Sequence, residues 1–212
     1  MTAEPADGSA RNGQKRAAPR ISARAAARRE EILTALMEKI ARKELLNPSL
    51  REIGRAMEME AAHLLYYFAS REELLECVIM RWDEQSHASV GRDGSTLDSF
   101  ADQVVRNMAI PGIMHLYLSF AAEAVDPAHP AHDFFLKRFA EVGAMLERNI
   151  RREQEAGIIA PEVDPARQAR QLIALSDGLQ LQSLVNAQVD AAGDLRDAIR
   201  ELRRFGDRGV GQ

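Results

Sequence analysis

Residues 50–75 read LREIGRAMEMEAAHLLYYFASREELL. Ile53, Met57, Met59, Leu64, Leu65 and Phe68 recur at spacings of two to four, so each short segment is expected to bury one face. Gly54 sits where two helices can approach closely. Ser49, with Glu52 three residues on, forms a capping box, and Ser70 with Glu73 forms a second. The spacing predicts a helix over Leu50–Met57, a turn at Glu58–Glu60, a second helix over Ala61–Tyr67 and a long helix opening after Ser70. This is the outline of a helix-turn-helix, a motif that lays its second helix in a DNA major groove.

Upstream, Ser22 is a candidate N-cap for a helix reaching about Lys43. Its stripe is Ile32, Leu33, Leu36, Met37 and Ile40, and Asn47-Pro48-Ser49 ends the segment. Residues 1–22 lack large aliphatics apart from Met1 and Ile21, and read as a disordered arm. Arg11, Lys15, Arg16 and Arg20 make this arm basic, suited either to following DNA phosphates or to solubilising the chain. Downstream, the long helix extends to about Ser89 and a loop covers Gly91–Ser95. Helices follow over 96–109, from Pro111 to about Val125, and over 131–156, where Gly157 stands at C′. Asp164 caps a helix from Pro165 to about Val189, a last helix covers about 194–205, and the chain frays from Gly206. No strand pattern or repeat is visible. The expected fold is all-α with about nine helices. Residues 23–71 form a three-helix helix-turn-helix domain, and 72–212 form a helical effector-binding and dimerisation domain.

Residues 1–71 carry 13 Lys/Arg and 9 Asp/Glu, net +4, whereas 72–212 carry 15 and 23, net −8; together they give the overall −4. A basic first third joined to an acidic remainder suggests that only the former meets a polyanion. Apolar residues make up 46 % of the 212-residue chain, enough for a sizeable core. No apolar run approaches the roughly 18 residues of a membrane span, so no membrane association is expected. The N-terminus lacks a secretory pattern, and the single Cys77 excludes an internal disulfide. A cytoplasmic location is the simplest expectation, with Cys77 a packed thiol rather than a reactive one. No Gly-rich phosphate loop, metal set or nucleophile–base motif is present, so no enzymatic activity and no cofactor are expected. His129, His132 and Asp133 resemble a metal cluster only superficially, since they flank Pro130 in a loop without a fourth ligand. Asp126 and Asp177 read as caps or local hydrogen-bond partners.

The run Leu64-Leu65-Tyr66-Tyr67-Phe68-Ala69-Ser70-Arg71-Glu72-Glu73-Leu74 resembles the end of the recognition helix in TetR-type one-component regulators. Asp126-Pro127-Ala128-His129-Pro130-Ala131-His132, Gln154-Glu155-Ala156-Gly157 and Asp177-Gly178-Leu179-Gln180 are similar to segments of one branch of that family, in the same order. The resemblance covers about residues 25–205. It implies that His63, Tyr66 and Tyr67 touch phosphates, and that Arg71 replaces a common phosphate-binding Lys. Ala61 and Ala62 match base-facing positions, where Ala can read only shape or a thymine methyl group. Arg51 matches a position that reaches guanine. Two positions depart from the family pattern. Glu58 stands where Gly is usual and Glu60 where a small cap is usual. The helix over Ala61–Tyr67 has no Lys or Arg, leaving Arg24, Arg28, Arg29, Arg51, Arg55 and Arg71 to supply positive charge.

The resemblance also implies an effector cavity among the helices from the long one after Ser70 to the one from Pro165 to about Val189, the fourth to the eighth in chain order. Candidate lining residues are Trp82, Met108, Met114, His115, Tyr117, Leu118, Phe134, Phe135 and Phe139, with His115 or Tyr117 as polar handles; most large apolar residues here must simply be core. Leu172, Leu175, Leu179 and Gln182 stripe helix 8, and Leu195, Ile199 and Leu202 stripe helix 9. The resemblance makes these a homodimer interface; the alternative is that they pack within one chain. The functional expectation is a regulator, most simply a repressor, that leaves palindromic double-stranded DNA when it binds a small, largely apolar effector. The alternatives are an activator and a helical protein-interaction module without sequence-specific DNA binding.

Overall fold

The computed structural model describes residues 22–88 and 96–204, and among them finds helices and no strand. The helices are α1 (Ala23–Ala41), α2 (Leu50–Ala56), α3 (Ala61–Tyr67), α4 (Arg71–Ala88), α5 (Leu97–Met108), α6 (Pro111–Glu123), α7 (His132–Glu155), α8 (Pro165–Val185) and α9 (Ala191–Arg204). The expected basic arm, the loop at Gly91–Ser95 and the tail from Gly206 lie outside the described residues.

Side-chain caps fix several helix starts. Ser22 Oγ accepts from Ala25 N, and Ser49 and Glu52 form a complete capping box. Ser70 Oγ accepts from Glu73 N at 3.1 Å, while the Glu73 carboxylate accepts from Ala69 N. Asp164 Oδ1 accepts from the backbone of Ala166 and Arg167, opening α8 above Pro165. Gly157 has φ +72, the left-handed stop expected at C′ after α7. Helix α8 stops at Val185, four residues short of the expected Val189, because Asn186 turns to an extended conformation.

Two clusters fill the interior. The first runs from Leu36, Ile40, Ile53, Leu64 and Phe68 through Leu74, Leu75 and Val78 into Leu116 and Phe120 of α6. It therefore crosses the expected boundary at residue 71, and α1–α3 share one core with α4 and α6. The second joins α5, α7, α8 and α9 through Leu97, Val104, Leu146, Ile150, Leu172, Leu179, Leu195 and Ile199. Arg203 staples its edge, with Nε donating to Glu153 Oε2 at 2.8 Å and Nη1 donating to Asp98 Oδ1 at 3.0 Å.

Two glycines let helices meet backbone to backbone. A Cβ on Gly54 would lie 2.7 Å from Met59 O, so the α2–α3 turn closes only without one. A Cβ on Gly112 would lie 1.8 Å from Ile40 O, where the start of α6 abuts the end of α1. No described helix is long and apolar enough to cross a membrane.

Candidate functional site

The outward surface of α1–α3 is the first candidate region. On α3, Leu64 is fully buried and Phe68 nearly so, and these two fasten the helix to the core. Leu65, expected inside with them, is instead 47 % exposed, because it lies one residue round from Leu64 on the solvent side. Ala62 and His63 are exposed, Ala61 is half-buried and Tyr66 is 72 % exposed. Tyr67 leans on the first core, with its ring 5.5 Å from His63 and 5.0 Å from Tyr66, edge-on. Arg24, Arg51 and Arg55 are exposed and form no ion pair among the described residues. The turn carries Glu58 at φ +54, a left-handed conformation that explains why Gly is usual there. Glu60, at the N-cap of α3, makes no side-chain cap hydrogen bond.

Arg71, expected at a phosphate, has protein partners in this structure. Its guanidinium turns away from the outer surface and ties the head to α6. Nε donates to Pro48 O at 2.8 Å, Nη2 to Asn47 Oδ1 at 2.6 Å and Nη1 to Glu123 Oε2 at 3.1 Å. Asn47 Nδ2 donates to the other Glu123 oxygen at 2.6 Å. Burial pushes the Glu123 carboxyl up, but the hydrogen bonds from Asn47 and Arg71 outweigh it and hold the group below its ordinary range. Arg29 makes a parallel tie between α1 and α4. It donates to Glu73 Oε1 at 2.6 Å, lies 3.1 Å from Cys77 Sγ and stacks 4.7 Å from the Phe68 ring centroid. Burial pushes the Cys77 thiol up, consistent with a packed, unreactive sulfur.

The second region is a cavity of about 340 Å³ enclosed by α4, α5, α6, α7 and α8. Trp82, Met114, Tyr117 and Phe139 line it, as the sequence suggested. Met108, His115, Leu118, Phe134 and Phe135 do not. Met108 packs on the second core, Leu118 and Phe134 pack on the first, Phe135 is buried within the first, and His115 is half-buried on α6 outside the wall. The polar lining was not foreseen: Asp83, Gln103, Asn107, Arg138, Asp177 and Gln180. Arg138 pairs with Asp83 and lies 5.1 Å from the Tyr117 ring centroid, with its Nε buried and unpartnered among the described residues. Trp82 Nε1 and Gln103 Nε2 both donate to Asn107 Oδ1, at 3.1 and 2.8 Å. Tyr117 Oη donates to Asp177 Oδ1 across a long 3.4 Å. Burial pushes Asp177 up to about 6, against the opposing effects of Arg138 and Tyr117. Above that pH Asp177 stands as a carboxylate beside the Asp83–Arg138 pair. The missed residues had a sequence signal: polar side chains at helical spacing inside apolar stripes, such as Gln103 with Asn107, or Asp177 with Gln180.

The other histidines and acids settle into local roles. His132 Nδ1 lies 2.9 Å from Ala124 O, His129 Nδ1 accepts from Ala131 N, and Asp126 Oδ1 accepts from Ala128 N. The stripes expected at a dimer interface turn inward. Leu172, Leu179, Leu195, Ile199 and Leu202 are buried in the second core, and Leu175 packs against it. Only Gln182 is exposed. The outer face of α8 instead shows Ala174, Gly178, Leu181 and Val185, with Leu181 and Val185 prominently exposed.

A helix-turn-helix head that shares its core with a hollow helical body has the architecture of a DNA-binding regulator with an internal cavity. Residues 97–204 match the family model of the BetI-type transcriptional repressor C-terminal domain, and the chain belongs to the TetR family of transcriptional regulators. Members of this family bind DNA and small-molecule effectors and act as dimers. A TetR-family regulator from Rhodococcus sp. superposes with a TM-score of 0.68 at 20 % identity, over 84 % of this chain and 99 % of that one. One from Haloarcula marismortui gives 0.68 at 19 %, over 85 % and 98 %. A Saccharomonospora viridis regulator solved in complex with choline gives 0.61 at 20 %, over 87 % and 97 %. No curated protein matches the chain significantly.

Proposed function

We propose that this regulator is a homodimeric repressor whose effector carries a positive charge on an apolar body, bound in the cavity between α4 and α8. Asp177 carries this reading. It is a mostly buried carboxylate with one long hydrogen bond, beside an Asp83 already paired to Arg138. A cation entering among Trp82, Phe100, Tyr117 and Phe139 would meet both the Asp177 carboxylate and aromatic faces. The choline complex of the Saccharomonospora viridis regulator shows a small cation bound by a protein of similar fold. The expectation of a largely apolar effector is thereby narrowed: the walls are apolar, but the polar cluster asks for a charge.

Helix α4 contributes Ile79, Trp82 and Asp83 to the cavity, and its first turn carries Arg71 and Glu73 against the head. An effector that prefers one position of α4 shifts the population of head orientations, and DNA affinity changes by that difference in preference. Residues 23–71 act as the DNA-reading part and 72–212 as the effector and dimer part, although one core joins them. His63, Tyr66, Tyr67, Arg51 and Ala62 face DNA. The free stripe Ala174–Gly178–Leu181–Val185 of α8, flanked by Gln182, forms the seam with a second copy.

The test uses the full chain and a duplex selected from random-sequence DNA at near-physiological salt. Choline and larger quaternary ammonium ions are titrated into the complex, alongside carboxylates of equal size. Release by the cations and not by the carboxylates is expected. Release by carboxylates, or an unchanged complex at saturating cation, would reject the charge assignment. Recovery of no palindrome would reject dimeric DNA reading.

A further inference from the structure

The exposed face of α3 carries an apolar patch. Ala62, Leu65 and Tyr66 are grouped there by their helical spacing, and Leu65 has 47 % of its surface open. Leu65 has no role in holding the helix down, since Leu64 and Phe68 on the opposite side do that. Helix α3 contains no Lys, Arg, Asn or Gln, so the paired hydrogen bonds that read guanine or adenine edges are not available from it. Its hydrogen-bonding groups sit on His63, Tyr66 and Tyr67, whose rings cluster together at one end of the face. What remains beside Ala62 is a branched aliphatic group left about half open to solvent among the described residues. The one feature of a major-groove base edge that an aliphatic side chain matches is the C5 methyl group of thymine.

We propose that Leu65 is a specificity-determining residue that selects thymine in each operator half-site by covering its C5 methyl group. This rests on α3 entering the major groove and goes beyond that reading by naming the base and the residue that reads it. Arg51 from α2 then reads by hydrogen bond, whereas α3 reads by apolar contact.

The experiment uses the full chain and the duplex enriched from random-sequence DNA. Each thymine is replaced in turn by uracil, which removes only the methyl group, and binding is followed by fluorescence anisotropy at fixed salt. One thymine per half-site should show a loss of about fourfold, the effect of one methyl group returned to water. With Leu65→Ala the thymine and uracil duplexes should bind equally, while the salt dependence of binding stays as in the parent. Because Leu65 is outside the core, this variant folds, and an unchanged thermal midpoint confirms it. Enrichment of a duplex in which no uracil replacement matters would overturn the assignment. A uracil penalty that persists in Leu65→Ala would overturn it as well. Failure to enrich any sequence would instead overturn the placement of α3 in the groove, and the proposal with it.

Discussion

The head and the body of this molecule are both built by helices packing on helices, yet they keep their chemistry on opposite sides. In α1–α3, Leu36, Ile40, Ile53 and Leu64 close the interior, and the polar and aromatic groups stand outside. In α4–α8 the polar groups Asp83, Arg138 and Asp177 face inward around a cavity. A short amphipathic helix has one dry face, so its functional residues are those left over on the wet one. A helix buried on most sides has no such remainder, and its function lies in the polar atoms it keeps inside at a cost. The joint between these regions is what makes them one device, and it can be broken by single substitutions.

The largest effect is expected at the joint itself. Gly112→Ala places a methyl group 1.8 Å from Ile40 O, and neither α1 backbone nor α6 backbone can yield without separating. The variant should lose about 3 kcal/mol or more, as overpacking against a rigid backbone does. Chemical denaturation would measure this. A loss below about 1 kcal/mol would show that the α1–α6 contact is soft and that the head moves freely on the body.

Arg71→Ala tests whether this side chain couples the regions or holds DNA. As a latch between Asn47, Pro48 and Glu123 it leaves the salt dependence of DNA binding intact but weakens the effector's ability to release DNA. Stability should fall by about 1–2 kcal/mol, because Glu123 and Asn47 lose a partner. As a phosphate contact it would instead lower the logarithmic salt slope by about one. Anisotropy at several salt concentrations, with and without a cationic effector, separates the two. The latch also depends on pH. Glu123 has a folded pKa below its unfolded value, so its contribution is present above the unfolded pKa and is lost as pH falls through the folded one.

Asp177→Asn sharpens the contrast from the cavity side. Its folded pKa is raised, to about 6. The contribution of the protonated form to stability is therefore complete below the ordinary Asp pKa and is lost as pH rises through about 6. At pH 8 the amide variant should be more stable by on the order of 1–2 kcal/mol, since no buried carboxylate must stay charged. The same change should weaken a quaternary ammonium effector tenfold or more. In the parent, effector affinity should fall as pH drops below about 6, where Asp177 takes up a proton. Calorimetric titration at pH 5 and 8 checks this. Unchanged affinity in Asp177→Asn would move the ligand's charge elsewhere in the cavity.

The sequence disclosed the head better than the body, for the same physical reason that divides them. The capping box at Ser49, the Ser70 cap on Glu73 N, Asp164 before Pro165 and Gly157 after α7 are local devices, and each stands where its spacing placed it. Tyr66 outside and Leu64 inside follow from one helical turn. Leu65 was misplaced because a run of two leucines does not say which one faces in. The ties of Arg71 were not legible because its partners Asn47 and Glu123 are distant in sequence, and a forked cation suits a phosphate or a carboxylate equally. In the body, four of nine expected lining residues reached the cavity. Periodicity cannot rank the faces of helices such as α6, which carries apolar residues nearly all round. The dimer stripe failed likewise. Leu172 and Leu179 are the stronger apolar row of α8, and the second core took them, leaving Ala174, Gly178, Leu181 and Val185 outside.

The smallest expected effect is at Glu58, where the outer surface of the head carries both strain and misplaced charge. Its φ of +54 puts a side-chain-bearing residue in the left-handed region, at a cost of about 1 kcal/mol relative to Gly. Its carboxylate stands on the turn that leads into α3, beside the surface expected to approach phosphates. Glu58→Gly should therefore raise the thermal midpoint by about 2–4 °C. It should also tighten DNA binding a few-fold at low salt, and this gain should shrink as the Debye length falls. The two effects have separate origins, so Glu58→Gln should give the second without the first. A Gln variant that stabilises as much as Gly would locate the cost in charge rather than in backbone. A Gly variant no more stable than the parent would mean that the turn relaxes at little cost, leaving the carboxylate as the only effect of Glu58 on this head.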